Sequence, residues 1–262
     1  MTMTDHDLTP LFLSAYDFPH PECADPHHHE LIAVGADLEP QTLLHAYSVG
    51  LFPWFNQGEE IAWYSPSPRC VLYPQQHQAS KSLLREMKKS PYVVKINQHF
   101  QDVIRQCAAA RAYSNETWIG DDMIHAYQTL HALGYAISVE IWHEQDLIGG
   151  LYGLKIGHAF FGESMFHTRS NASKMAFFVL ARLCAMANFK WIDCQLPNEH
   201  LMSLGAKTLE RKIFLQQLPE QIRQPYSDWS ALYDVALPLQ DFLSDDVLSY
   251  QQFAFTLNKN KV

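Results

Sequence analysis

The chain has 262 residues, 47% of them hydrophobic and 18% charged, which suits one large domain or a small and a larger one around a sizeable core. Its 28 acidic residues against 19 basic ones give a net charge of −9, which excludes nonspecific wrapping of nucleic acid and confines any phosphate contact to a local patch. No apolar run approaches the ~20 residues that cross a bilayer, the polar start Met1 to Asp7 lacks a signal's basic and apolar regions, and five scattered cysteines without a C-x-x-C pair point to a reducing, cytoplasmic setting.

The first thirty residues are rich in Pro, Asp and His and read as irregular; His27-His28-His29 are adjacent and cannot converge as i, i+4 metal ligands do. Leu31–Gly35 reads as a short strand and Leu43–Tyr47 as a short helix, followed by Gly50 and Pro53. The aromatic segment Gly50-Leu51-Phe52-Pro53-Trp54-Phe55 leads to Trp63-Tyr64-Ser65-Pro66-Ser67-Pro68-Arg69, whose prolines break any helix. A boundary is expected here, between a small N-terminal domain over 1–67 and a larger domain over 68–240, with 241–262 as a tail. Ser80–Lys89 is expected to be a helix with Leu83, Leu84 and Met87 on its apolar side, stopped by Ser90-Pro91. A second helix runs from Asp121 with Ile124, Tyr127, Leu130 and His131 at helical spacing and ends at Gly134. Three strands follow, Tyr135–Trp142, Leu147–Lys155 and His158–Phe166. Then come an apolar helix over Asn171–Asn188, a strand over Phe189–Gln195, a short helix over Pro197–Leu204 and a last strand over Lys207–Leu215. The order β-β-β-α-β-α-β, with hairpins first, argues an α+β fold built on a mixed sheet.

Chemistry is suggested in three places. Glu163 lies inside an apolar run, between Ala159-Phe160-Phe161 and Met165-Phe166, close to the glycine-rich Gly149–Gly153; it reads either as a structural carboxylate tied to backbone or Arg, or as a group facing a ligand. In Trp191-Ile192-Asp193-Cys194-Gln195, strand alternation sets Asp193 and Gln195 on one face and Cys194 on the other. A carboxylate and a carboxamide side by side can orient an amine, or can simply finish a strand; Cys194 with His200 as a thiol nucleophile and base is disfavoured by that alternation. Lys81, Arg85, Lys88 and Lys89 fall at i, i+4, i+7 and i+8, one stripe of the Ser80 helix, which is either a solvated face or a phosphate contact. Walker, H-E-x-x-H and G-x-G-x-x-G motifs are absent from the sequence.

With these residues in view, the sequence resembles the bacterial leucyl/phenylalanyl-tRNA–protein transferases from about Leu31 to about Leu218. The resemblance rests on the Gly50–Phe55 and Trp63–Arg69 segments, Thr117-Trp118-Ile119, Ser138-Val139-Glu140-Ile141-Trp142, Gly149–Gly153, Gly162-Glu163-Ser164-Met165-Phe166, Asn171-Ala172-Ser173-Lys174, Asp193-Cys194-Gln195 and Ser203-Leu204-Gly205-Ala206. It implies a small N-terminal α/β domain joined to a larger acetyltransferase-like (GNAT-like) domain. The implied activity moves Leu or Phe, and less readily Met, from aminoacyl-tRNA to proteins beginning with Arg or Lys, marking them for degradation by the N-degron route, with no cofactor, metal, membrane or DNA. It further implies Trp54 and Trp118 around the terminal adenosine, and Leu151, Phe160 and Ile192 in the side-chain pocket. Glu163 would be the substrate-contacting carboxylate, Asp193 and Gln195 the catalytic pair, and Lys81, Arg85 and Lys88 the contact to the tRNA acceptor stem, to which the same stripe adds Lys89. Ser67 replaces the acidic residue usual between the two prolines, and the chain after Pro219 departs from the family pattern. A CoA-dependent N-acetyltransferase of the same fold is the first rival, although His167–Lys174 brings no glycine to where a pyrophosphate loop would open the next helix. A noncatalytic adaptor for basic N-termini is the second.

Overall fold

The computed structural model describes residues 12–23, 30–112, 118–225 and 228–243; the triple histidine, Thr117 and the tail beyond 243 lie outside them. Two sheets organise the chain. A small antiparallel sheet joins β1 (Leu31–Val34), β3 (Ala62–Tyr64) and β2 (Phe52–Pro53), with α1 (Pro40–Ser48) between the first two in sequence. From β4 (Arg69–Leu72) onward the strands enter an eight-stranded mixed sheet, so the chain changes sheets across the proline-rich Ser65–Pro68.

In the large sheet, β6 (Ala136–His143), β7 (Asp146–Ile156) and β8 (Ala159–His167) form an antiparallel meander. Helix α5 (Ala172–Met186) then carries the chain back, so β9 (Ile192–Gln195) lies parallel to β8; α6 (Glu199–Ser203) leads to β10 (Lys207–Leu209). This is the β-β-β-α-β-α-β order expected from the sequence, and the fold is α+β with a mixed sheet. The sheet is completed by β4, by β5 (Val93–Ile96) and by β11 (Leu237–Pro238), giving the order β10-β4-β9-β8-β7-β6-β5-β11.

Alternation along the strands feeds two cores. One face carries Ile137, Val139, Ile141, Leu151 and Phe160 against α5 and α2 (Lys81–Lys89). The other carries Ala136, Tyr152, Leu154 and Phe161 against α1, α3 (Phe100–Ala112), α4 (Asp121–Ala132) and α7 (Arg211–Ile222). Helix α2 begins where expected because Ser80 Oγ accepts the Leu83 backbone N–H, and α4 ends at Gly134, whose φ of +83° suits a residue without Cβ. Glycines in β7 are required by close approach: a Cβ on Gly149 would stand 2.5 Å from Ala172 Cβ, and one on Gly153 would stand 2.2 Å from the Phe161 carbonyl oxygen.

One expectation needs correction, and two parts of the fold have no counterpart among the expectations. The last strand, expected over Lys207–Leu215, stops at Leu209, and Arg211–Ile222 is helix α7. Phe214, Leu215, Leu218 and Ile222 are its buried side, a helical spacing masked by Pro219, which the helix accommodates internally. Helix α3 was not anticipated, although Phe100, Val103, Ile104 and Cys107 are buried at helical spacing. The segment after Pro219 also belongs to the core: Trp229, Leu232, Leu239 and Phe242 are buried, and β11 pairs with β5. Among the described residues no helix is long and apolar enough to cross a membrane.

Candidate active site

Where two parallel strands diverge, the sheet must open. The described pairing of β8 with β9 covers Phe160 with Ile192 and Phe161 with Asp193. Beyond it, the strand ends Gly162–Met165 and Cys194–Gln195 border a cavity of about 660 Å³. Two bulges shape this gap. Opposite β7, Gly153 pairs with Gly162 and Tyr152 with Ser164, so Glu163 is the extra residue of β8. Opposite β4, Val71 pairs with Asp193 and Cys70 with Gln195, so Cys194 is the extra residue of β9.

The second bulge overturns the alternation expected for Asp193 and Gln195. Gln195 takes a left-handed backbone with φ of +56°, rare for a residue with a side chain. It lines the cavity together with Cys194, while Asp193 does not. Asp193 and Arg69 are each fully buried, with Nε to Oδ1 at 2.8 Å and Nη2 to Oδ2 at 2.6 Å, a two-pronged ion pair. Arg69 also donates to the Gly50 carbonyl at 3.1 Å and lies over the Phe52 and Phe214 rings. Asp193 Oδ1 accepts the Gln195 backbone N–H at 3.0 Å. The acid therefore reaches Gln195 through its backbone rather than through its carboxamide.

Glu163 is partly buried at the cavity floor and meets neither an arginine nor the backbone in a described hydrogen bond. Tyr47 Oη of α1 lies 2.6 Å from its Oε1 and Tyr127 Oη of α4 lies 3.0 Å from its Oε2, both within hydrogen-bonding distance, with the two phenol oxygens 2.5 Å apart. Gln195 Nε2 approaches Oε1 at 3.5 Å, the outer limit of a contact. Burial pushes the Glu163 carboxyl up to about 7, and the nearby Asp193 charge adds to this against the two tyrosine hydrogen bonds and the Arg69 charge. Burial, then the Glu163 charge, raises both phenols well above their usual value. Neither tyrosine was singled out in the sequence. Tyr127 stood only among the residues at helical spacing, and nothing local set Tyr47 apart from a core aromatic.

The cavity's apolar side is formed by Leu151, Met165, Phe177, Leu180, Leu196 and Leu201, and its mouth includes Trp54, Trp118, Tyr64, Glu59 and His200. Trp54 is 42% exposed and meets Tyr64 edge to face at 5.6 Å. Thus Trp54, Trp118, Leu151, Glu163 and Gln195 come together as the sequence suggested. Phe160 and Ile192 do not line the space: both are fully buried behind the wall, with Phe160 stacked 6.4 Å from Trp229. Cys194 and His200 both border the cavity, against the expectation that they point apart. The Cys194 thiol is held well above its usual value by its hydrogen bond with Cys70 and by burial, which is unfavourable for a thiolate nucleophile. Lys81, Arg85, Lys88 and Lys89 are all exposed on α2, opposite its buried Leu83 and Met87, and none borders the cavity.

Residues 71–219 match the family described as leucyl/phenylalanyl-tRNA protein transferase, and residues 36–67 match its N-terminal domain. A leucyl/phenylalanyl-tRNA–protein transferase of Psychrobacter arcticus is 51% identical over 222 residues, 83% of each chain. Its counterpart in Legionella pneumophila strain Corby is 48% identical over 83% of this chain and 97% of its own. That of Shewanella piezotolerans is 52% identical over 77% and 85%. The chain belongs to the leucyl/phenylalanyl-tRNA–protein transferase family.

Proposed function

We propose that this enzyme transfers Leu or Phe, and less readily Met, from aminoacyl-tRNA to the N-terminal Arg or Lys of acceptor proteins in the cytoplasm, marking them for N-degron degradation. The observation that carries the reading is a cavity in which an apolar wall around Leu151, Phe177 and Leu180 borders the same space as Glu163 and Gln195. An aminoacyl ester is already activated, so attack by an amine is downhill and calls for no ATP or cofactor. The protein's task is to hold two ends together and to stabilise charge at the carbonyl.

In this reading the apolar wall receives the Leu or Phe side chain. Discrimination by shape alone is worth ~1–3 kcal/mol per methylene, so smaller donors are rejected only moderately. Trp54 and Trp118, at the mouth, stack the terminal adenosine. The Gln195 carboxamide hydrogen-bonds the attacking α-amine, and Asp193, anchored by Arg69, keeps the Gln195 backbone in the conformation that aims it. Glu163 faces the aminoacyl group or its ribose. Phe160 and Ile192 act from behind the wall, holding its shape.

The stripe Lys81, Arg85, Lys88 and Lys89 contacts acceptor-stem phosphates. Reversing all four charges should flatten the salt dependence of tRNA binding by up to about one unit of log–log slope per lost contact; an unaltered slope would reject the stripe. The whole reading is tested with radiolabelled leucyl-tRNA, an Arg-starting peptide and no ATP. Label should pass to the peptide. Failure to transfer, with acetyl-CoA instead of leucyl-tRNA protecting the protein from thermal unfolding, would favour the acetyltransferase class.

A further inference from the structure

Three oxygen-to-oxygen contacts link Tyr47, Tyr127 and Glu163: 2.6 Å from Tyr47 to Oε1, 3.0 Å from Tyr127 to Oε2, and 2.5 Å between the phenols. Each contact at such a distance needs a proton between its oxygens. A tyrosine carries one hydroxyl proton and an ionised carboxylate carries none. Two protons cannot fill three gaps, and if both phenols turned to the carboxylate, the shortest contact of the three would be left as two facing lone pairs.

We infer that Tyr47, Tyr127 and Glu163 close a hydrogen-bond ring holding three protons, so that Glu163 stands as a carboxylic acid in the resting enzyme and is the proton carrier of the transfer reaction. The ring closes in one direction: Glu163 Oε2–H donates to Tyr127, Tyr127 to Tyr47, and Tyr47 to Oε1, which also faces Gln195 Nε2. Among the described residues the surroundings supply no full neutralising partner. Tyr47 and Tyr127 are fully buried on α1 and α4, Tyr152 approaches from β7, and the Asp193 charge on β9 offsets that of Arg69 on β4. The raised Glu163 value has burial as its first cause and agrees with the proton count.

The carrier role rests on the transfer reading above. There, the bond from the amine nitrogen to the carbonyl carbon forms and the bond from that carbon to the ribose oxygen breaks. The ring can reverse, each proton shifting to the next oxygen, which moves the carboxyl proton from Oε2 to Oε1 beside Gln195; from there Glu163 gives it to the departing ribose oxygen, and the nitrogen's surplus proton restores the acid. One proton passes from nitrogen to oxygen and none is gained or lost overall. A carboxamide such as Gln195 is a poor base, so this assigns the final proton acceptor to Glu163 and leaves Gln195 to orient the amine.

The test compares the wild-type chain with Glu163→Gln, whose amide offers one donor and one acceptor to the same ring but does not titrate near neutrality. Because the folded value lies near 7, above the ordinary 4.5, the acid stabilises the fold fully at low pH and this contribution fades as pH rises through about 7. Wild-type Tm should therefore fall relative to Glu163→Gln by about 5–10 °C between about pH 5 and about pH 8. The variant should bind leucyl-tRNA normally yet transfer about 10²-fold more slowly in single turnovers. Parallel Tm curves for the two proteins would overturn the ring's third proton, and wild-type transfer rates in the variant would overturn the carrier role. Absence of transfer by the wild-type protein would instead sink the transferase reading and the carrier role together, while the Tm difference would still report the ring.

Discussion

Glu163 and Asp193 are acids on neighbouring strands at the point where the sheet opens, and their surroundings treat them in opposite ways. Asp193 is sealed beneath the cavity with a guanidinium on both its oxygens and no route to solvent. Glu163 borders the cavity and is met by two phenols instead of a cation. A buried carboxylate with a matched guanidinium is a structural anchor, because removing either partner strands a charge. A buried carboxyl without a cation is left to bind a proton. Position in a motif does not tell the two apart; their partners do.

The comparison breaks most visibly at the ion pair. Asp193→Ala should cost about 3–5 kcal/mol of stability by leaving Arg69 buried and unpaired, measured by urea unfolding. A loss below about 1 kcal/mol would show that Asp193 is not the anchor described here. The pair can also be replaced together. Arg69→Met with Asp193→Leu should recover much of that stability, yet the protein should remain inactive because the Gln195 backbone loses its acceptor.

Next in size is the group that anchor positions. Gln195→Ala should leave leucyl-tRNA affinity within a few-fold and slow transfer by about 10²-fold, the range found when a charge-stabilising hydrogen-bonding group is lost from an active site. Normal single-turnover rates would remove Gln195 from the chemistry. The smallest effect has the opposite sign. Gln195→Gly relieves a left-handed backbone and should gain up to about 1 kcal/mol while transferring no faster than the alanine variant. A net destabilisation would mean that the Gln195 side chain contributes more to folding than its strain removes.

Much of the framework was readable from residue spacing. The meander, α5, β9 and α6 followed from alternation, helical spacing and the stops at Gly134 and Gly205. Helix α7 was hidden because Pro219 broke a periodicity that its packing overrides. The C-terminal segment was hidden because Trp229, Leu239 and Phe242 are spaced for no regular element and acquire meaning only against the sheet. In the site, Trp54, Trp118, Leu151, Glu163 and Gln195 were all named from sequence, whereas Phe160 and Ile192 were placed one layer too near the cavity.

By itself the sequence determined the order of the elements from the meander to β10, the family, and which polar side chains interrupt apolar strands, since these depend on local periodicity and on short ordered motifs. Tertiary structure decided what each of those side chains meets. Arg69 lies 124 positions from Asp193, and Tyr47 lies 116 from Glu163. The Cys194 bulge that turns Gln195 toward the cavity depends on register with β4, which no spacing within β9 contains. Whether an acid is anchored or carries a proton is a property of the groups folded around it, because dielectric and charge act through space and not along the chain.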